Sequence, residues 1–486
     1  MLQKEALDIL KLGKNVFITG PAGSGKTFVL NQYIKYLKSN GVDVAVTAST
    51  GIASTHLGGQ TIHSWSGLGI RDVLTDRDID ELMQKSYLYK RFERTKVLII
   101  DEISMLHHFR LDLIDWICRQ FKRNEKPFGG MQVVLCGDFF QLPPVTRTRS
   151  SFVAESRQQN KQRVDLGLVG LDKGRPFGEE SQFAYKSTSW QESGFTICYL
   201  SEQFRQKDSD YLKILNEIRR NAVSEKTKEL LNSRLNKEPE IKVKPVKMHT
   251  HNISVDEINN QHLSSIEGKK EIFEMTSHGS KYIVEALKKS CISPESLVLK
   301  VGAKVMFTKN HPEGLFVNGT MGVVDSIGYG SPRVRTADGS LIDVTPMSWR
   351  VEEDGKTKAE ISQFPLRLAW AITVHKSQGM SLDAMEVDLS DSFVPGMGYV
   401  ALSRVRSLGG MKLLGFNAMS LEVDKEVLKK DLEFQEFSKL AEKELSSISR
   451  LEIEKRQGEF LHSIKPKEKN KLLKTKSVKS KKRRWW

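Results

Sequence analysis

Short unbroken apolar runs alternate with amphipathic stretches up to residue 200. The runs at 15–19, 43–47, 96–100, 132–136 and 196–200 predict strands, and the stretch 26–38, ending at Asn40-Gly41, predicts a helix. Strands that alternate with helices form a parallel sheet, and strands buried on both faces read as continuous apolar runs. The pattern predicts an α/β fold with a doubly wound parallel sheet. Polar residues fall just behind these strands: Thr19-Gly20, Thr47 to Thr50, Asp101-Glu102 and Gly137-Asp138. Open α/β sheets gather ligands at the carboxyl ends of their strands, so chemistry is expected there.

The second half has another texture. Between 297 and 350 the runs are short, β-rich and broken by the hairpin signals Asn318-Gly319 and Ala337-Asp338-Gly339. This predicts a small barrel inserted into a larger domain. Alternation of strands and helices resumes at Leu366 and continues to about Phe416, and 421–459 is a charged helical stretch.

A chain of 486 residues exceeds one core and suggests about three domains. No apolar run approaches the ~18 residues of a membrane span, and charges within the first five residues leave no secretory h-region. Cys118, Cys136, Cys198 and Cys291 are far apart with no CxxC, which argues against a disulfide scaffold or a zinc site and for a reducing compartment. Residues 465–484 hold 11 Lys/Arg and one acid, Glu468, and so carry +10 of the net +15. A tail of that charge points to nucleic acid or another anionic surface, and it is expected to be disordered. The loop 146–176, with seven Lys/Arg and three acids, is a second basic segment.

Gly20-Pro21-Ala22-Gly23-Ser24-Gly25-Lys26-Thr27 fits GxxxxGK[ST], follows a strand and opens a helix. Its glycines let backbone N–H groups wrap phosphates, and the helix N-terminus adds positive potential. Lys26 would reach the β- and γ-phosphates of a nucleotide, and the Thr27 hydroxyl would bind Mg²⁺. Asp101, behind the strand 96–100, is placed to hold the Mg²⁺ shell, and Glu102 to take a proton from an attacking water.

A phosphate loop alone admits kinases, GTPases, clamp loaders and switches. Further motifs narrow the field: Gly58-Gly59-Gln60-Thr61-Ile62-His63-Ser64, then Gly137-Asp138-Phe139-Phe140-Gln141-Leu142-Pro143-Pro144-Val145, then Thr373-Val374-His375-Lys376-Ser377-Gln378-Gly379 and Val400-Ala401-Leu402-Ser403-Arg404. Together they resemble helicase superfamily one, and within it the Pif (petite integration frequency) DNA helicases, over about residues 1–416. The resemblance implies two RecA-like domains with ATP and Mg²⁺ between them: 1–200, with a DNA-wedge insertion at about 66–92, and 201–296 with 364–420. It further implies a Src-homology-type barrel at 297–363, followed by a helical extension at 421–464 and the basic tail 465–486.

The resemblance also assigns roles. Gln3 would read adenine, with Gly20, Ala22, Gly23, Ser24, Gly25, Lys26 and Thr27 around the phosphates. Gln141 would sense both γ-phosphate and DNA. Arg205 and Arg404 would reach across the cleft to the γ-phosphate, where a guanidinium fork stabilises charge spread over the equatorial oxygens. Thr50, Gly51, His63, Thr250, Asn252, Thr373 and His375 would contact DNA, mostly at phosphates. Trp65 and Phe316 are candidates for base stacking or for ordinary core packing. The implied activity is an ATP-dependent helicase moving 5′→3′ on single-stranded DNA and opening duplex, forked or G-quadruplex DNA. Implied partners are single-stranded DNA, single/double-strand junctions, and single-strand-binding or replication proteins. The protein itself is expected to be a monomer away from DNA, in the bacterial cytoplasm and nucleoid or in a nucleus. A RecD-like motor subunit and an ATP-dependent switch that does not unwind are the alternative readings.

Overall fold

Apolar β1 (Val16–Thr19), β2 (Val44–Ala48), β4 (Val97–Asp101), β5 (Gln132–Cys136) and β6 (Thr196–Tyr199) pair in parallel, with the short β3 (Gln60–Thr61) added at one edge. The computed structural model describes residues 1–69, 71–141, 143–144, 183–204, 206, 208–240, 245–249, 255–328, 330–336, 338–353, 356–374, 377 and 379–465. The sheet order is β3-β2-β4-β5-β1-β6, and β1, β4 and β5 are buried along their whole length. Their carboxyl ends bring Gly20, Asp101-Glu102 and Gly137-Asp138 to one rim. The helix Lys26–Ser39 follows the phosphate loop and buries Val29, Leu30, Tyr33, Ile34 and Leu37.

The stretch 66–92 is mostly helical. It contributes the helices Asp76–Met83 and Ser86–Arg94, whose Ile79, Leu82, Leu88 and Phe92 join the core beneath the first sheet. Trp65 packs on Phe92 at 4.7 Å between centroids, and Phe316 stacks on Phe307 at 3.9 Å. Both are buried, so core packing prevails over base stacking.

A second parallel sheet runs in the order Ala371–Thr373, Val246–His249, Met385–Leu389 and Met411–Phe416. The chain leaves it after Val246–His249 and returns at Ala371–Thr373. Between them lie antiparallel strands in three sheets: five strands from Leu341–Asp343 to Leu366–Leu368, a hairpin of Met347–Glu353 with Lys356–Gln363 joined by Thr276–Gly279, and the pair Glu271–Glu274 with Ser296–Leu299. The β-rich unit thus draws in strands on both sides of 297–363. Asp338-Gly339 closes a tight turn: Thr336 Oγ1 donates to Asp338 Oδ1 at 2.6 Å, and Gly339 takes φ +89°. Asn318-Gly319 instead ends the longer loop 308–320.

The helices Lys425–Ser446 and Arg450–Ile464 fold back onto the first domain. Asp424 and Ser449 cap them, accepting backbone N–H bonds through their side chains. The first helix lies along β6, where Tyr199 N–H donates to Ser438 Oγ at 3.0 Å and Phe434 meets Phe17 at 5.2 Å. The second faces the helix Gln3–Lys11, where Arg450 pairs with Asp8 at 2.8 Å. An edge strand with free hydrogen-bonding groups is thereby covered. Among the described residues, no helix is long and apolar enough to cross a membrane.

Candidate functional site

The phosphate loop is shaped by residues without side chains. Gly20 takes φ +137°, and a Cβ there would lie 2.4 Å from the Leu200 carbonyl oxygen. Gly25 takes φ +83°, and a Cβ would lie 2.0 Å from Gln3 Nε2. Larger residues at either position would displace backbone or Gln3. Gln3 donates to the Ser24 carbonyl at 3.2 Å and so rests on the loop. Lys26 Nζ donates to the carbonyls of Gly20 at 2.8 Å and Pro21 at 3.1 Å. Desolvation lowers its pKa, with Asp138 as the largest opposing influence. The Ser24 hydroxyl is buried and without a hydrogen-bond partner among the described residues. A loop of this conformation, a lysine and an orphaned hydroxyl form a cradle that fits nucleotide phosphates. Thr27 is exposed at the start of the helix.

Asp101 ends β4. Its carboxylate accepts the Glu102 N–H at 2.9 Å and the Cys136 thiol, while burial raises its pKa. Glu102 has φ +52° and ψ +45°, a left-handed backbone that costs a non-glycine residue about 1–3 kcal/mol. Burial first, and the neighbouring Asp101 second, push the Glu102 carboxyl up to about 7, against the pull of Lys26 and Arg404. One oxygen, Oε2, is buried without a partner among the described residues. Strain, burial and a pKa near neutrality on one carboxylate suit a general base. Asp101 and Thr27 supply hard oxygen donors of the kind Mg²⁺ takes.

Gln141 is buried in the turn behind β5, where its N–H donates to the Asp138 carbonyl at 2.9 Å. Its Oε1 has no partner among the described residues. Arg404 comes from the second domain and is 1% exposed. Its Nε donates to the Val400 carbonyl at 2.8 Å and its NH2 to Ser403 Oγ at 3.0 Å. The structure therefore brings Lys26, Asp101, Glu102 and Arg404 within electrostatic reach of one another, with Gln141 in the turn that starts at Asp138 beside them. Arg205 lies outside the described residues, as do Thr250, Asn252, His375, the loop 146–176 and the tail beyond Lys465.

Of the nucleic-acid candidates, Thr50, Gly51, His63 and Thr373 lie among the described residues. Thr50 precedes the helix Gly51–His56, and its hydroxyl accepts the Ala53 N–H at 3.3 Å. The helix Lys281–Ser290 of the antiparallel unit packs against this helix. Thr373 ends its strand, half-buried. His63 is pulled down to about 4, by burial and then by Arg110, so it is a neutral imidazole at physiological pH. Its Nε2 is buried without a partner among the described residues. It can offer a phosphate a hydrogen bond but no charge.

Three residues escaped the sequence reading. Phe204 is 57% exposed, its N–H donates to the Gly23 carbonyl at 2.9 Å, and its ring lies beside Gly25. Tyr399 accepts the Ala22 N–H of the phosphate loop at 3.2 Å. Arg219 is buried between domains and donates to both oxygens of Asp138, at 2.8 and 2.9 Å. A usable signal existed for Arg219. It extends the face of Tyr211, Leu215 and Ile218, and a cation on an apolar helix face requires a buried counter-charge.

A PIF1-like helicase family model matches residues 3–165. The ATP-dependent DNA helicase Pif1 of a Psychrobacter species is 41% identical over 95% of this chain and 75% of its own length. The crystal structure of Bacteroides sp Pif1 with ADP-AlF4 superposes with a TM-score of 0.73 at 30% identity, covering 89% of this chain and 96% of that one. Bacteroides Pif1 bound to ssDNA superposes with a TM-score of 0.56 over 89% of this chain and 95% of that one.

Proposed function

Because this chain belongs to the PIF1-like helicase family and so is an ATP-dependent DNA helicase, we propose that it moves 5′→3′ along single-stranded DNA and opens forked duplexes and G-quadruplexes ahead of it. The observation that carries the chemical part of this reading is the meeting of Lys26, Asp101, Glu102 and Arg404 at one cleft between two parallel-sheet domains. The direction rests on the motif resemblance.

Lys26 and the loop N–H groups hold the phosphates of ATP in line for attack. Thr27 and Asp101 would hold Mg²⁺, which when bound neutralises charge on the β- and γ-phosphate oxygens. Glu102 takes the proton of the attacking water, and its raised pKa makes it a more effective acceptor than an ordinary carboxylate. Arg404, joined by Arg205, stabilises the charge that develops on the transferring group. Since Arg404 stands on the second domain, hydrolysis depends on closure of the cleft. Gln3 and Phe204 flank the position of the base. Gln141 links the γ-phosphate to DNA held by Thr50, Gly51, His63, Thr250, Asn252, Thr373 and His375. Repeated closure and reopening, with alternating grip on the DNA backbone, gives stepping. The substrates are single strands and their junctions in a DNA-containing compartment, such as the bacterial nucleoid.

The test is strand displacement by the purified chain on duplexes carrying a 5′ or a 3′ tail, with ATP and Mg²⁺. Unwinding of the 5′-tailed substrate is expected. Unwinding of the 3′-tailed substrate alone would overturn the direction. Displacement that needs a partner nuclease would favour a RecD-like subunit, and DNA-dependent ATPase without displacement would favour a switch.

A further inference from the structure

Arg219 closes the helix Ser209–Arg219, whose other buried residues, Tyr211, Ile214, Leu215 and Ile218, are a tyrosine and aliphatic side chains. Its guanidinium leaves that helix and enters a socket on the first domain. NH1 donates to Asp138 Oδ1 at 2.8 Å and Oδ2 at 2.9 Å, and NH2 donates to Asp431 Oδ1 at 3.1 Å and to the Tyr199 hydroxyl at 3.2 Å. The cation lies 4.1 Å over the Phe140 ring, where the π-face attracts it. Asp138 and Phe140 follow β5, Tyr199 ends β6, and Asp431 belongs to the C-terminal helix Lys425–Ser446 that covers β6.

Two connections lead from this socket to the nucleotide site. Asp138 organises the turn that presents Gln141: its carbonyl accepts the Gln141 N–H at 2.9 Å and its carboxylate accepts the Phe140 N–H at 3.2 Å. NH1 of Arg219 also donates to the Tyr399 hydroxyl at 3.2 Å, and that hydroxyl accepts the phosphate-loop N–H of Ala22 at the same distance. Asp138 itself lies within electrostatic reach of Lys26 and Glu102. A motion that withdrew the Ser209–Arg219 helix would strip a fully buried carboxylate of its counter-ion, beside the catalytic pair.

We infer that Arg219 is a positioning residue for ATP hydrolysis: it holds the Asp138–Gln141 turn and Tyr399 in one frame, and through Asp431 it makes the C-terminal helix part of that frame. The helix Lys425–Ser446 lies beyond every motor motif in the chain. The inference gives it a part in turnover rather than a covering role alone, and it rests on the reading of the cleft given above.

The experiment uses the full chain and two variants, Arg219→Lys and Asp431→Asn. Lysine keeps the charge but lacks the planar fork that spans two carboxylates. Asparagine keeps the volume of Asp431 and an accepting oxygen. ATP turnover with saturating single-stranded DNA is measured well below the melting transition of each protein. Each variant is expected to lower kcat about tenfold, a coupling of ordinary size, with KM for ATP within about twofold of wild type. A purely structural ion pair would lower the melting temperature and leave kcat per folded molecule in place. Folded Asp431→Asn with wild-type kcat would overturn the inference, and that variant decides alone if Arg219→Lys does not fold. Gln141→Ala is measured beside them. Unchanged DNA stimulation in that variant removes Gln141 as sensor, whereas the inference about Arg219 still stands or falls on Asp431→Asn.

Discussion

The hydroxyl of Tyr399 accepts the backbone N–H of Ala22 at 3.2 Å, so a side chain of the second domain rests on the backbone of the phosphate loop. If a phosphate oxygen takes this N–H when ATP binds, it must first displace that hydroxyl. Tyr399→Phe removes the competitor and leaves the Ala22 N–H in need of an acceptor. The dissociation constant for ATP is expected to fall about fivefold, equivalent to roughly 1 kcal/mol for one hydrogen bond. Equilibrium binding of a fluorescent ATP analogue checks this. Weaker binding would show that Tyr399 assists the phosphates instead of competing with them.

As the proposed general base, Glu102 should set the pH dependence. Burial and Asp101 hold its carboxyl up to about 7, so the basic form is lost as pH falls through that value. Turnover at saturating DNA should drop roughly tenfold between about pH 8 and 6. Glu102→Gln should retain ATP binding, hydrolyse ~10²–10⁴-fold more slowly and lose this acid limb. Lys26→Ala should abolish turnover by removing the point charge at the γ-phosphate. An acid limb in the ordinary carboxylate range would take the role of base away from Glu102.

Arg404→Lys is not conservative at a phosphate, because the ammonium cannot form the guanidinium's planar fork. Steady-state ATPase should fall about 10²-fold or more, in the range found for lost transition-state donors. Fluorescence anisotropy of labelled single strands should show nearly unchanged DNA affinity. ATPase at the wild-type rate would remove Arg404 from the cleft chemistry.

Deleting residues 465–486 tests the role of the tail, which supplies most of the net charge. If about half of its cations engage single-stranded DNA, at ~0.7 per phosphate, the slope of log affinity against log salt should shrink by roughly 3–4. Turnover at saturating DNA should survive, since the catalytic residues remain. Equal slopes for the two proteins would exclude the tail from DNA binding.

The buried parallel strands were legible because unbroken apolar runs such as Val97-Leu98-Ile99-Ile100 suit little else, and the phosphate loop was legible because its glycines are sterically required. The antiparallel unit was less so. Thr276–Gly279 is polar and exposed throughout, so nothing in its composition announces a strand; only its partner Lys356–Gln363 makes it one. Arg219 resembled the neighbouring surface charge Arg220, and the distinction lies in Asp138 and Asp431, 81 and 212 positions away. Tyr399 resembled one more core aromatic because its hydroxyl, not its ring, does the recognising. Contacts between remote segments decide all three, and only for Arg219, a cation on an apolar helix face, does the local pattern carry a trace of them.

The fold-back of the last two helices has a consequence for synthesis. Met1 pairs with Glu442, Tyr199 with Ser438 and Asp8 with Arg450, the last contact spanning 442 positions. A ribosome emitting the chain from its amino end releases β6 long before the helix that covers it. During that interval the nascent first domain exposes an open strand edge and the apolar groove that later receives Phe434, the kind of surface that recruits chaperones or pairs with other chains. The order of translation therefore delays completion of the first domain until the helix Lys425–Ser446 has been made.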